Sequence, residues 1–225
     1  MAADQIPLDL GHRPALGRRD LLVTDANKEA VAWIDSWPAW PVPVLALYGP
    51  PGCGKTHLIH VFAAQTQAEV ITLSTLTAED AVSLARTNRA LAWDNADSVA
   101  DETVLFHLIN AVREESGHLL ICGRTAPARW AAQLPDLRSR LSAVPAVEIK
   151  SPDDATLAAV LAKLFRDRQL PVDVDVLEYV VARMPRSFDA AERLVAAVDQ
   201  DALARGRRIT IPLIRDVLNS GGTAQ

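Results

Sequence analysis

The chain has 225 residues, of which 49% are hydrophobic, enough to bury one large domain or a domain with a small satellite. Its formal charge of −5 excludes a protein that coats nucleic acid by bulk electrostatics, a mode that depends on many Lys and Arg contacts to phosphate, so strong direct DNA binding is not expected. Its 2 cysteines, Cys53 and Cys122, lie far apart and form neither a disulfide framework nor a zinc pattern; with no apolar run near the ~18 residues of a membrane span and no signal-peptide core, the expectation is a cytoplasmic protein with no membrane partner.

Residues 1–22 carry Pro7, Gly11, Pro14 and Gly17 as breakers and read as an extended arm. Within it, Gln5-Ile6-Pro7-Leu8-Asp9-Leu10 sets aliphatic side chains at alternate positions in a segment with no core of its own. Extended peptides bind through main-chain contacts and alternate side chains that enter pockets, so Ile6, Leu8 and Leu10 can anchor in a partner while Gln5 fixes one end. An arm folded back on its own domain would use the same residues.

A helical pattern runs from Asp25 to Trp37 and ends at Pro38, Pro41 and Pro43, with Trp33, Trp37 and Trp40 expected to be packing residues. The apolar run Val44–Tyr48 then leads into Gly49-Pro50-Pro51-Gly52-Cys53-Gly54-Lys55-Thr56, a Walker A loop followed by a helix that begins with His57. Glycines allow a tight turn that presents backbone N–H groups to phosphate, and the helix start adds its positive end. Lys55 reaches the β- and γ-phosphates, and the Thr56 hydroxyl is placed to ligate magnesium. Cys53 is read as a small buried residue of this loop.

Val70–Leu73 reads as a strand, and Thr77 caps a helix to about Arg86 with Asp80 as its capping-box partner. Ala90–Asp94 is an apolar strand ending in acid, a Walker B pattern in which Asp94 holds the same magnesium ion at the C-terminal edge of a sheet. An amphipathic helix covers Asp101–Glu115, a strand His118–Cys122, and Arg129 and Trp130 open a short helix. Leu134–Leu141 contains Arg138-Ser139-Arg140-Leu141, and Val147–Ile149 is the last strand. This alternation specifies an α/β fold, a P-loop NTPase domain with a parallel sheet covered by helices on both faces.

Ser151-Pro152 is the expected N-cap and first turn of the next helix. Beyond it the strands stop, and helices are expected at about 153–167, 173–184, 187–204 and 211–219. The expected organisation is an arm over 1–22, an α/β nucleotide-binding domain over 23–150 and a small all-helical lid over 151–225.

The Walker A loop, the Walker B strand, an arginine-bearing helix end and a helical lid, in this order, resemble an AAA+ ATPase. More narrowly, Gly54-Lys55-Thr56-His57-Leu58 and Asn27 resemble the nucleotide-binding module of the DnaA-related family over about 23–219. The chain ends soon after Asn219, and Gln5–Leu10 is similar to the clamp-binding peptide of the family's Hda-type regulators, which lack the initiator's DNA-binding domain. The resemblance implies ADP or ATP with Mg2+ as ligands, and the replicative polymerase sliding clamp and the DnaA initiator as partners. It also implies a homodimer or AAA+-type oligomer, and a role in stimulating hydrolysis of DnaA-bound ATP.

Arg140 aligns with the family's arginine finger, against the simpler alternative of a surface arginine paired with a nearby acid. Arg186 is assigned to the nucleotide site with Gly49–Thr56, His57 and Asp94. The chain departs from the family at Asn95, where many hydrolytic members carry a second acid, and at Asp189, where a sensor arginine is common. Arg186 or Arg193 can substitute there, and Arg124 or Thr125 occupies the first sensor position. Self-hydrolysis is therefore expected to be weak or absent. The competing readings are a self-hydrolysing AAA+ machine such as a helicase loader and, more remotely, a small-molecule P-loop kinase.

Overall fold

The computed structural model describes residues 21–71, 76–205 and 208–221. The peptide Gln5–Leu10 lies outside the described residues. The chain divides after Ser151 into an α/β unit that precedes it and a helical unit that begins at Pro152.

The α/β unit runs α1 (Lys28–Asp35), β1 (Val44–Tyr48), α2 (Lys55–Thr66), β2 (Glu69–Ile71), α3 (Ala78–Thr87), β3 (Ala90–Trp93), α4 (Glu102–Glu114), β4 (His118–Gly123), α5 (Pro135–Ser142) and β5 (Ala146–Glu148). Its strands form one sheet in the order β2-β3-β4-β1-β5, with every pair parallel. All strands therefore end at one edge, where Gly49, Asp94 and Arg124 follow β1, β3 and β4.

The strands are short continuous apolar runs because both faces are covered. Leu45, Leu47, Ala92, Leu120 and Cys122 face α1 and α2, where they meet Val31, Ile34, Leu58, Ile59 and Phe62. Val44, Ala46, Leu91, Trp93, Leu119 and Ile121 face the other way, against α3, α4 and α5 through Ala81, Leu105, Leu108, Leu137 and Leu141. Each large side chain fully buried in this way contributes about 1.5–3 kcal/mol before the entropy of ordering is subtracted.

Trp40 stacks on Phe62 at 5.3 Å between ring centroids, and Trp37 meets the same ring edge-on at 6.4 Å, so both tryptophans are packing residues. Asp80 accepts from its own helix start as expected: Thr77 N–H donates to Asp80 Oδ2 at 2.9 Å and Asp80 N–H to Thr77 Oγ1 at 3.2 Å, a complete capping box.

The helical unit comprises α6 (Asp154–Asp167), α7 (Val174–Val181), α8 (Phe188–Arg205) and α9 (Ile211–Gly221). Leu157, Leu161 and Phe165 lie one turn apart on α6 and form a core with Val176 and Val180 of α7, Ala191, Val195 and Val198 of α8, and Leu213 and Ile214 of α9. Among the described residues no helix is long and apolar enough to cross a membrane.

The structure corrects several local expectations. The cap of α6 is Asp153, whose Oδ1 accepts from Thr156 N–H at 2.8 Å, not Ser151; a carboxylate reaching the third helical N–H beats a serine placed before the turn has begun. Arg129 ends a 3-10 turn over Pro127–Arg129, and Trp130 leaves it extended, so neither opens a helix: Pro127 takes the first position, where its missing N–H costs nothing. The first helix spans Lys28–Asp35, shorter than the apolar period, because Asn27 is spent on the loop before it. Its Oδ1 accepts from Thr24 N–H at 2.8 Å and its Nδ2 donates to the Leu22 carbonyl at 2.9 Å.

Candidate nucleotide site and the Arg140 helix

The loop Gly49–Thr56 joins β1 to α2 at the C-terminal edge of the sheet. Its glycines have different reasons to be glycine. Gly52 and Gly54 sit at φ of 70° and 99°, the left-handed region, and Gly54 is the N-cap of α2. Gly49 is required by close approach instead: a Cβ there would lie 2.1 Å from the Ile149 carbonyl oxygen and 2.9 Å from Cys53 Sγ. The loop thus packs directly on the chain leaving β5, tied by Ile149 N–H to the Tyr48 carbonyl at 2.7 Å. Pro50 and Pro51 are the exposed crest of the loop.

Lys55 is buried, and its ammonium donates to the carbonyls of Gly49 at 2.8 Å and Pro50 at 2.9 Å. A cation is thereby fixed at the centre of a loop whose helix start has no side-chain cap. This donor set of a fixed ammonium, glycine backbone and helix N-terminus fits a polyphosphate. Cys53 Sγ lies 3.8 Å from the Lys55 ammonium; burial pushes the thiol pKa up, with Lys55 pulling the other way. Cys122 is pushed well up, by burial first and then by the charge of Asp94. Both thiols are buried and protonated rather than reactive.

The strand end of β3 meets the loop. Thr56 Oγ1 donates to Asp94 Oδ2 at 2.6 Å, which brings together the hydroxyl and the carboxylate expected to share magnesium. A hydroxyl beside a carboxylate is a hard oxygen pair that suits a small divalent ion shared with phosphates. His57 follows on α2, half-buried. Asn95, next to Asp94, is exposed in the left-handed region with φ of 51°, and its amide cannot accept a proton from water.

Asp97, which the sequence did not single out, accepts from Arg124 N–H at 2.7 Å and so joins the ends of β3 and β4. A Cβ at Gly123 would lie 2.7 Å from the Trp130 ring and 3.2 Å from the Asp97 carboxyl carbon, which is why β4 ends in glycine. Arg124 and Thr125 are both exposed after it.

Arg140 lies in the last turn of α5. Its guanidinium sits 5.4 Å from the centroid of the Phe106 ring, and its Nε is buried without a hydrogen-bond partner among the described residues. Among those residues no carboxylate pairs with it. The Phe106 ring, not an acid, is what holds it.

In the helical unit Arg186 pairs with Asp154, with Nη2 at 3.0 Å from Oδ1 and 3.1 Å from Oδ2. Both side chains are exposed, so this is a solvated surface pair between the start of α6 and the start of α8.

Comparisons with known proteins cover both units. Residues 45–116 match the ATPase family associated with various cellular activities, AAA, and residues 153–218 match the Hda lid domain. An uncharacterized protein of Haemophilus influenzae is 25% identical over 189 residues, 79% of this chain and 82% of that one. The chromosomal replication initiator DnaA of Thermomicrobium roseum is 27% identical over 200 residues; the match takes 79% of this chain but only 43% of the initiator, so the chain spans less than half the length of that relative.

Among solved structures, domain III of Thermotoga maritima DnaA superposes with a TM-score of 0.76 at 17% identity, covering 92% of this chain and 97% of that one. The T. maritima RuvB Holliday junction branch migration motor follows with a TM-score of 0.69 at 17% identity, covering 87% and 68%. At these identities the likeness is one of fold. The chain thus joins an AAA domain to an Hda-type lid on the fold of DnaA domain III, the arrangement of a DnaA-related AAA+ protein.

Proposed function

We propose that this protein is an adenine-nucleotide-binding regulator of chromosome replication initiation that docks on the replicative sliding clamp through Gln5–Leu10. In the docked complex it presents Arg140 to ATP held by the DnaA initiator and promotes its hydrolysis. Residues 1–22 act as the docking arm, 23–150 as the nucleotide module and 151–225 as the lid. The observation that carries this reading is an Hda-type lid on a chain whose Arg140 guanidinium rests on an aromatic ring with its charge unneutralised among the described residues. Such an arginine, supplied by a neighbouring subunit, stabilises the charge that builds on a phosphoryl group in transfer.

The protein's own nucleotide is held by Gly49–Thr56, with Lys55 on its phosphates and His57 beside them. AMPPCP bound to Aquifex aeolicus DnaA, a neighbour in fold, supports adenine as the base. Thr56 and Asp94 hold Mg2+, which supplies neutralisation of the phosphate charge. Asn95 leaves no general base beside Asp94, so the bound nucleotide turns over slowly and the protein acts on its partner's ATP.

The test is DnaA ATP turnover in the presence of DNA-loaded clamp, with wild type, Gln5→Ala and Arg140→Ala compared. Both substitutions are expected to abolish stimulation. Wild-type stimulation by both would sink the reading, and rapid ATP hydrolysis by the isolated protein would favour a self-hydrolysing AAA+ machine instead.

A further inference from the structure

The helix that carries Arg140 is held at both ends by α4. At its start, α5 has Leu134 in the N-cap position, a residue with no side chain able to accept, and Pro135 in the first turn. The N–H groups of the two residues that lead into the helix are taken by a carboxylate from another helix: Gln133 N–H donates to Glu102 Oε1 at 2.8 Å and Oε2 at 2.9 Å, and Leu134 N–H to Oε2 at 3.0 Å. A negative charge at the positive end of α5 adds to the hydrogen bonds.

One turn further along α4, on the same face, stands Phe106. Its ring lies under the Arg140 guanidinium at the other end of α5, 5.4 Å from centroid to Cζ. The buried Arg140 Nε has no hydrogen-bond partner among the described residues, so no donor–acceptor pair fixes the direction of the side chain there. The ring face does so by cation–π attraction. An acid in that place would also hold the arginine, but it would cancel the charge; a ring holds it and leaves the charge available to a phosphate.

We infer that Glu102 and Phe106 are positioning residues for Arg140, Glu102 setting the placement of α5 and Phe106 the direction of the guanidinium. The inference rests on the reading of Arg140 as the group offered to a partner's nucleotide.

Two measurements test it. In the clamp-dependent DnaA ATPase assay, Phe106→Leu is expected to lower maximal stimulation about tenfold, the scale of one lost cation–π contact. The concentration for half-maximal stimulation and the melting temperature stay at wild type, and Phe106→Tyr, which keeps the ring face, restores the rate. Glu102→Gln, which keeps an acceptor but loses the charge, falls between Phe106→Leu and wild type. If Arg140→Ala abolishes stimulation while Phe106→Leu and Glu102→Gln stimulate fully, the positioning role is overturned and the reading of Arg140 stands.

If Arg140→Ala stimulates as well as wild type, the reading of Arg140 fails, and the second measurement decides the contact by itself. The Arg140 Nε–H resonance is expected to be ring-shifted and slow to exchange in wild type, and to lose both properties in Phe106→Leu. An Arg140 resonance identical in the two proteins overturns the inference whatever the assay shows.

Discussion

The phosphate loop and the Arg140 helix each hold a positive charge in place, and they do so by opposite means. The Lys55 ammonium is fixed by carbonyls of Gly49 and Pro50, atoms of the same short loop. The Arg140 helix is fixed by a carboxylate 31 and 32 residues upstream of the N–H groups it caps, and by a ring of the same α4 helix. A charge held by consecutive residues depends first on its own short sequence. A site assembled from two elements depends on how those elements pack, which makes it adjustable and also fragile.

The comparison breaks most visibly at Gly49. Alanine there would drive a Cβ to 2.1 Å from the Ile149 carbonyl, a backbone atom that cannot swing aside. Gly49→Ala is expected to cost about 3 kcal/mol in urea unfolding, at the upper end of overpacking penalties, and to weaken nucleotide binding with it. A variant as stable as wild type would mean that the loop and the end of β5 can separate freely. Next in size is Lys55→Ala, which removes the charge-assisted contact to phosphate without touching the strand. About 100-fold weaker ADP binding by calorimetry is expected, with unchanged secondary structure.

The same contrast can be sharpened with helix caps. Thr77 caps α3 from within its own box, whereas Glu102 caps α5 from outside. Thr77→Ala and Glu102→Ala should each lower stability by about 1 kcal/mol, the usual value of a lost cap. Their consequences should part after that: Thr77→Ala leaves the Arg140-dependent stimulation intact, and Glu102→Ala does not. Equal stimulation by the two variants would show that α5 does not need its remote cap.

This contrast also explains what could be read from the sequence. The alternation of strands and helices, the loop and the acid ending β3 were legible because each is a local pattern with a local physical cause. Even the pairing of Thr56 with Asp94 followed, since two motifs at strand ends of one parallel sheet must share an edge. Glu102 and Phe106 carried no such signal. An acid in the first turn of α4 reads as a complement to that helix's own dipole, and Phe106 as one more apolar residue on an amphipathic helix. Only the packing of α4 on α5 gives either a second role. The cap of α6 was misplaced for a related reason: Ser151-Pro152 and Asp153 are both acceptable starts in sequence, and geometry alone chose Asp153.

The smallest effect is expected far from both charges, at the edge of the sheet where the strands begin. There His118 lies edge-on to Trp37 and Trp40, at 6.1 and 5.6 Å between ring centroids. Burial holds its imidazolium pKa below the ordinary 6.5, and the Arg89 charge adds to the effect. A histidine lowered on folding binds its proton more tightly in the unfolded chain, so its contribution is fully present above pH 6.5 and is lost as the pH falls through that value toward the folded one. Melting temperature measured between pH 7.5 and about pH 5 should therefore fall with acid by the equivalent of less than about 1 kcal/mol, since the ring is only partly buried. His118→Gln should flatten that slope without moving ADP affinity, because β4 begins at the edge opposite Gly49 and Asp94. A slope unchanged by His118→Gln would rule out His118 as its source; the capping Asp80, Asp101 and Asp153, all held below their usual values by hydrogen bonds from neighbouring threonines, do not contribute in that window. Those act lower, as the pH drops below about 3.8, so the two sources separate on the pH axis.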